Sequence, residues 1–204
     1  MNTDKLATML NAKRPDLIDG FACKAAMRAL NSEGDKQSKL DYLNGMLKKK
    51  RISLIMVTKH EEMLDGFKEA GLAGGATYVD GSIEIKITPT FFNQDSKPTV
   101  VKRALRFQSL VTHELVHREQ FQHKPAYGKT HRTDEEKTNT EYLNDELEIE
   151  AMAAEISHDM RVKHLVGGSQ MLEISPRLKN LTENARLIGA ETIATLQASM
   201  KAYA

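Results

Sequence analysis

The sequence predicts an α+β fold, mostly helical, with a small antiparallel sheet placed ahead of its longest helix. Three observations carry this reading. Residues 100–123 keep an apolar stripe at helical spacing through Val101, Leu105, Leu110, Val111 and Leu115. In ATYVDGSIEIKIT (76–88), Ile83, Ile85 and Ile87 alternate with Glu84 and Lys86 after an Asp80-Gly81 turn, as the second strand of a hairpin does. Elsewhere apolar residues recur at helical spacing between breaks marked by Gly, Pro or polar runs. At roughly 100–200 residues per domain, 204 residues make one compact domain.

The elements follow in order. From Asp4 to Leu30 the residues Leu6, Met9, Leu10, Leu17, Ile18, Phe21, Ala25 and Met27 suit a helix interrupted near Pro15. NSEGDKQS is a polar break, and Leu40, Leu43 and Met46 mark the next helix. The cluster Lys48–Arg51 reads as a solvated basic helix end rather than an anion patch, and ISLIMV after it as a buried strand. Glycines between Gly71 and Gly75 mark a loop, and Pro89 and Pro98 bracket another. From Lys124 to Thr140 the chain is polar, a loop long enough to be functional. A helix follows with Asp145, Glu146 and Glu148 in its first turn, Arg161, Lys163 and His164 in its last, and Gly167-Gly168 as its stop. One final helix runs from Leu178 to Ala204. The division is an N-terminal helical segment (1–47), a core (48–168) and a C-terminal helical segment (169–204) within one compact unit.

Composition narrows the function. Lys plus Arg number 29 against 28 Asp plus Glu, so the charge excess of a nucleic-acid binder is missing. A single cysteine, Cys23, excludes an internal disulfide and a Cys-based zinc knuckle; its helical setting reads as a small buried hydrophobe rather than a nucleophile. No apolar run approaches the roughly 20 residues a membrane span needs, and MNTDKLATML does not read as a signal peptide. A cytoplasmic protein is the expectation, or a virion component if the gene is viral.

The chemistry lies in HELVH, His113 to His117. Two histidines four residues apart project about 40° apart around a helix and one turn along it, so both imidazoles reach one ion. Glu114 is then placed to act on a water at that ion without ligating it. With 7 His and 17 Glu in the chain, chance produces the pattern only about 0.02 times. Zinc is the expected ion.

The third ligand has two kinds of candidate. HELVHREQFQH offers His123 at metzincin spacing, but Gln120 stands where that pattern needs a helix-breaking Gly. On a continuous helix His123 projects roughly 100° from the direction of the other two. Alternatively a Glu of the next helix completes the site, and YLNDELEIEAMAAE supplies Glu146, Glu148, Glu150 and Glu155.

HELVHREQ, followed about 30 residues later by DELEIEA, resembles small HExxH peptidase-like proteins of bacteria and their phages. It is similar, too, to the Glu-x-x-Ala element of membrane and regulatory gluzincins. The likeness covers about 50 of the 204 residues, from Leu105 to Glu155. It implies a zincin-like core and maps the metal-binding Glu onto Glu148, with Ala151 at the small position. Glu155, with Asp159, matches the E-x-x-x-D element of thermolysin-like enzymes as the next choice, and Glu150 comes last. Many such enzymes place an Asp one residue after the Ala to support a ligand histidine; here that residue is Met152.

The resemblance further implies a zinc-dependent peptidase acting on a peptide or protein substrate, with His113, His117 and Glu148 as ligands and Glu114 as general base. It implies an antiparallel edge strand that pairs with substrate, for which SIEIKIT is the candidate. Tyr142, His131 and His158 are candidate oxyanion donors; His60 and His164 read as surface or capping residues. The other reading is a virion or assembly protein that keeps the zincin fold with little turnover and contacts other subunits of a larger assembly.

Overall fold

A computed structural model describes residues 20–58, 65–93, 99–123, 138–165 and 175–203. The stretch of the first expected helix before Gly20, His60, His131 and the Gly167-Gly168 stop lie outside them, as does the His164 side chain.

The chain runs α1 (Phe21–Asn31), α2 (Lys36–Leu47), β1 (Ile52–Met56), α3 (Asp65–Glu69), β2 (Leu72–Thr77), β3 (Ile83–Ile87), α4 (Val100–His123), α5 (Asn139–Asn144), α6 (Glu146–Leu165), α7 (Pro176–Glu183) and α8 (Ala190–Tyr203). It is mostly helical with one small sheet, as expected. α4 is its axis. Every residue from Arg103 to His117 is buried, because α1, β2 and α6 pack on different sides of it. α1 can lie close to α4 because its inner face is Ala22, Ala25, Ala26 and Ala29, none more than 6% exposed. The amide of Cys23, itself half-buried, donates to Gln108 Oε1 on α4 at 2.9 Å.

Two features of the sheet differ from expectation. Its strand order is β1-β3-β2, with β1 parallel and β2 antiparallel to β3, so it is mixed rather than antiparallel. SIEIKIT therefore supplies the central strand and not an edge. Ile83, Ile85 and Ile87 are each 0% exposed, and a strand with so apolar a face is best buried with both of its edges paired. The expected hairpin turn is present: Gly81 takes φ 81° and Ser82 donates its amide to Asp80 Oδ1 at 2.9 Å. β2 runs through Gly74 and Gly75, where a loop was expected, with a register shift between Leu72 and Gly74.

Lys48–Lys50 form an exposed 3₁₀ turn closed by Arg51 at φ 56°. The polar stretch expected to reach Thr140 ends sooner, because Thr138 and Glu141 close a reciprocal capping box that starts α5. The final helix is two. α7 ends at Glu183 and α8 begins at Ala190, with the turn between them held by Asn144. That side chain donates to Leu187 O at 2.8 Å and accepts from the Gly189 amide at 3.1 Å and Thr192 Oγ1 at 2.7 Å. Among the described residues no helix is long and apolar enough to cross a membrane.

Candidate metal centre

Because α4 is continuous through HELVH, His113 and His117 stack one turn apart with Nε2 atoms 3.1 Å from each other. α6 lies against this face through residues as small as Ala151 and Ala154, both 0% exposed. That close approach brings Glu148 Oε2 within 3.4 Å of His113 Nε2 and 3.5 Å of His117 Nε2. Donor atoms bonded at about 2.0–2.1 Å to a tetrahedral ion sit roughly 3.3 Å apart. The three edges of this triangle match one face of such a tetrahedron. His113, His117 and Glu148, all buried, form a group that could hold a metal ion.

Charge gives an independent fit. Glu114, Glu148 and Glu155 are no more than 5% exposed; the buried guanidinium of Arg177 pairs with Glu155, while that of Arg106 nearby is neutralised by the buried Asp159. With neutral imidazoles, three carboxylates against one guanidinium leave two negative charges in a dry site, which is costly until a divalent cation enters.

The far side of each imidazole is occupied. His113 Nδ1 lies 3.2 Å from Glu155 Oε2. His117 Nδ1 meets Gln120 Oε1 at 2.8 Å, and the Gln120 amide donates to Leu147 O at 3.0 Å and Glu150 Oε2 at 2.9 Å. Gln120 holds the His117 ring at Nδ1 and Glu155 lies beside the same atom of His113, so both rings turn Nε2 to the shared side, the usual outer-shell arrangement of metal-binding histidines. Glu155 thus takes the supporting place that Met152 leaves empty in the sequence pattern. Glu148 and Glu155, seven residues apart, share one face of α6 two turns apart, and the His113 ring lies between them.

Glu114 faces β2. Thr77 Oγ1 is 2.8 Å from Glu114 Oε2 and 2.9 Å from its carbonyl oxygen. A Cβ at Gly75 would fall 2.6 Å from Glu114 Oε1, so only glycine leaves the carboxylate its place. Burial raises the Glu114 pKa, while His113, His117 and the Thr77 hydroxyl pull it down. Burial alone would lower the His113 pKa, but Glu148, Glu155 and Glu114 reverse this and lift it to about 10. His117 moves up for the same reason: burial opposes its charge, and Glu148 outweighs burial.

Other candidates stand apart. His123 is at the exposed end of α4. Glu150 is engaged by Gln120. His158 is buried with Nδ1 3.5 Å from Asp159, whose other oxygen pairs with Arg106 at 2.9 Å. Tyr142 lies under the Arg177 guanidinium, 5.6 Å from ring centroid to Cζ. Gly75, Thr77, Gln120 and Arg177 were not singled out from the sequence as site residues. Only Gln120 had a signal there, as the residue at the position where metzincins break the helix.

Comparison with family models, curated proteins and solved structures finds no match for this chain. Its chemistry is therefore read from its own residues.

Proposed function

We propose that this chain is a zinc-dependent peptidase, with His113, His117 and Glu148 as metal ligands and Glu114 as general base. The observation that carries the reading is the triangle of Nε2, Nε2 and Oε2 atoms with edges of 3.1, 3.4 and 3.5 Å, beside the buried carboxylate of Glu114. Two imidazoles and one carboxylate in tetrahedral array suit zinc, leaving a fourth position for water.

A bound zinc ion would polarise a scissile carbonyl and bring the pKa of water towards 7. The chain's own part is proton handling and orientation. Glu114, raised by burial, takes a proton from the attacking water and passes it to the leaving nitrogen. Thr77 and Gly75 fix the carboxylate so that it need not reorient as the reaction proceeds. Amide hydrolysis is favoured because a carboxylate base beside a His-His-Glu site is the peptidase arrangement; that choice of substrate is analogy.

The test is metal content and turnover of the purified protein together. Wild type should carry about one zinc per chain and cleave members of a broad peptide library. Glu114→Gln should retain the zinc and lose at least about 100-fold in rate, the scale of general-base catalysis. Zinc without cleavage in wild type would sink the enzymatic reading and leave a metal-stabilised fold.

A further inference from the structure

Glu155 touches two groups through one oxygen. Its Oε2 accepts from Arg177 Nε at 3.2 Å and lies 3.2 Å from His113 Nδ1, while Oε1 is buried with no hydrogen-bond partner among the described residues. All the geometry that orients this carboxylate is therefore concentrated at Oε2. A carboxylate held at one oxygen, with the other uncommitted, has an alternative: it can turn about that contact and leave the imidazole it supports. Arg177 opposes that rotation, because turning Glu155 away would take the carboxylate from a buried guanidinium.

Arg177 is itself fixed on several sides. It is 8% exposed and lies over the Tyr142 ring. It sits in the first turn of α7, directly after Pro176. Pro176 packs so tightly on α3 that a Cβ at Gly66 would lie 2.7 Å from its Cγ. The guanidinium is thus placed by contacts to α5 and α6, and the start of its helix by the contact of Pro176 with α3.

We propose that Arg177 is a positioning residue of the metal centre: by clamping Glu155 Oε2 it keeps that carboxylate behind His113 Nδ1 and so fixes the ring whose Nε2 faces the cation. It rests on the metal reading above but not on peptide hydrolysis. It makes the segment after residue 168, which carries no recognisable motif, part of the site.

The experiment is a double-mutant cycle on metal affinity with Arg177→Met, Glu155→Gln and both together, read by chelator competition for zinc and by the visible spectrum of the cobalt-loaded protein. Loss of an outer-shell partner typically weakens metal binding 10- to 100-fold. Glu155→Gln should fall in that range, Arg177→Met should lose about 10-fold and change the cobalt spectrum, and the double variant should be no weaker than Glu155→Gln alone. Should Arg177→Met not fold, Arg177→Lys, which keeps the charge but not the fork, should show a smaller loss of the same kind. Wild-type affinity and spectrum in the Arg177 variants would overturn the proposal, as would losses that simply multiply in the double variant. A wild-type chain that binds neither zinc nor cobalt would instead remove the metal reading, and this role with it.

Discussion

Gly75 and Glu114 fit against each other so closely that the main chain of β2 forms one wall of the carboxylate's site. A methyl at Gly75 would meet Oε1 at 2.6 Å, Cδ at 2.9 Å and Cγ at 3.0 Å. All three belong to a buried side chain whose other oxygen is tied to Thr77. In Gly75→Ala the carboxylate must move, whereas none of the three atoms nearest the new methyl belongs to His113, His117 or Glu148. The expected result is retained zinc with a fall in kcat/KM of about 100-fold, the usual consequence of misplacing a reacting group by an ångström. Metal analysis and peptide kinetics on one preparation check it.

The ligand set makes a second prediction. His113→Ala, His117→Ala and Glu148→Ala each remove one corner of the triangle, and none should co-purify with stoichiometric zinc. His123→Ala and Glu150→Ala should keep it, because His123 is exposed at the helix end and Glu150 is already bonded to Gln120. Loss of zinc in His123→Ala alone would mean that the end of α4 unwinds in solution.

How much of this was legible beforehand depends on the range of the interaction. The pairing of His113 with His117 follows from helix pitch, and the helix could be read from its own apolar stripe. Glu148 and Glu155 both attracted notice, but as rivals for one role. Each meets a different nitrogen of His113, since a single imidazole can face two turns of α6. Strands β1 and β3 were both legible, yet their pairing was not, because parallel pairing across some thirty residues leaves no local signal of the kind a hairpin turn gives. Glycines 74 and 75 advertise backbone freedom without saying whether a turn or a close approach uses it. The break between α7 and α8 escaped notice because apolar spacing continues through Ile188, while what stops the helix is a side chain from α5, Asn144.

Proton competition gives a third prediction. In the metal-free protein the His113 pKa rises from its ordinary 6.5 to about 10. Its contribution to stability is complete below pH 6.5 and disappears as pH climbs through 10. Glu114 is also raised, so it too favours the protonated, low-pH form. Metal-free Tm should therefore fall from pH 6.5 to 10. A cation must displace the His113 proton, so its affinity should climb by about tenfold per pH unit across the same window. The gap in Tm between metal-loaded and metal-free protein should widen with pH. Thermal scans with and without chelator measure both, and a gap that narrows would count against these ligands.

Gln120 supplies the fourth. Its side chain joins α4 to the start of α6: Oε1 meets His117 Nδ1, and Nε2 reaches both Leu147 O and Glu150 Oε2, one residue before and two residues after Glu148. Gln120→Leu has similar bulk but no polar atoms, so it releases the His117 ring and the beginning of α6 together. Zinc affinity should drop about 10-fold, as for other lost outer-shell partners. Metal-free Tm should fall as well, because the half-buried Leu147 carbonyl loses a donor. Glu150→Gln separates the two effects. It leaves His117 and Leu147 bonded to Gln120, and should change zinc affinity by less than about threefold, well under the outer-shell scale. Equal losses in the two variants would show that the Glu150 contact, rather than orientation of His117, is what Gln120 contributes.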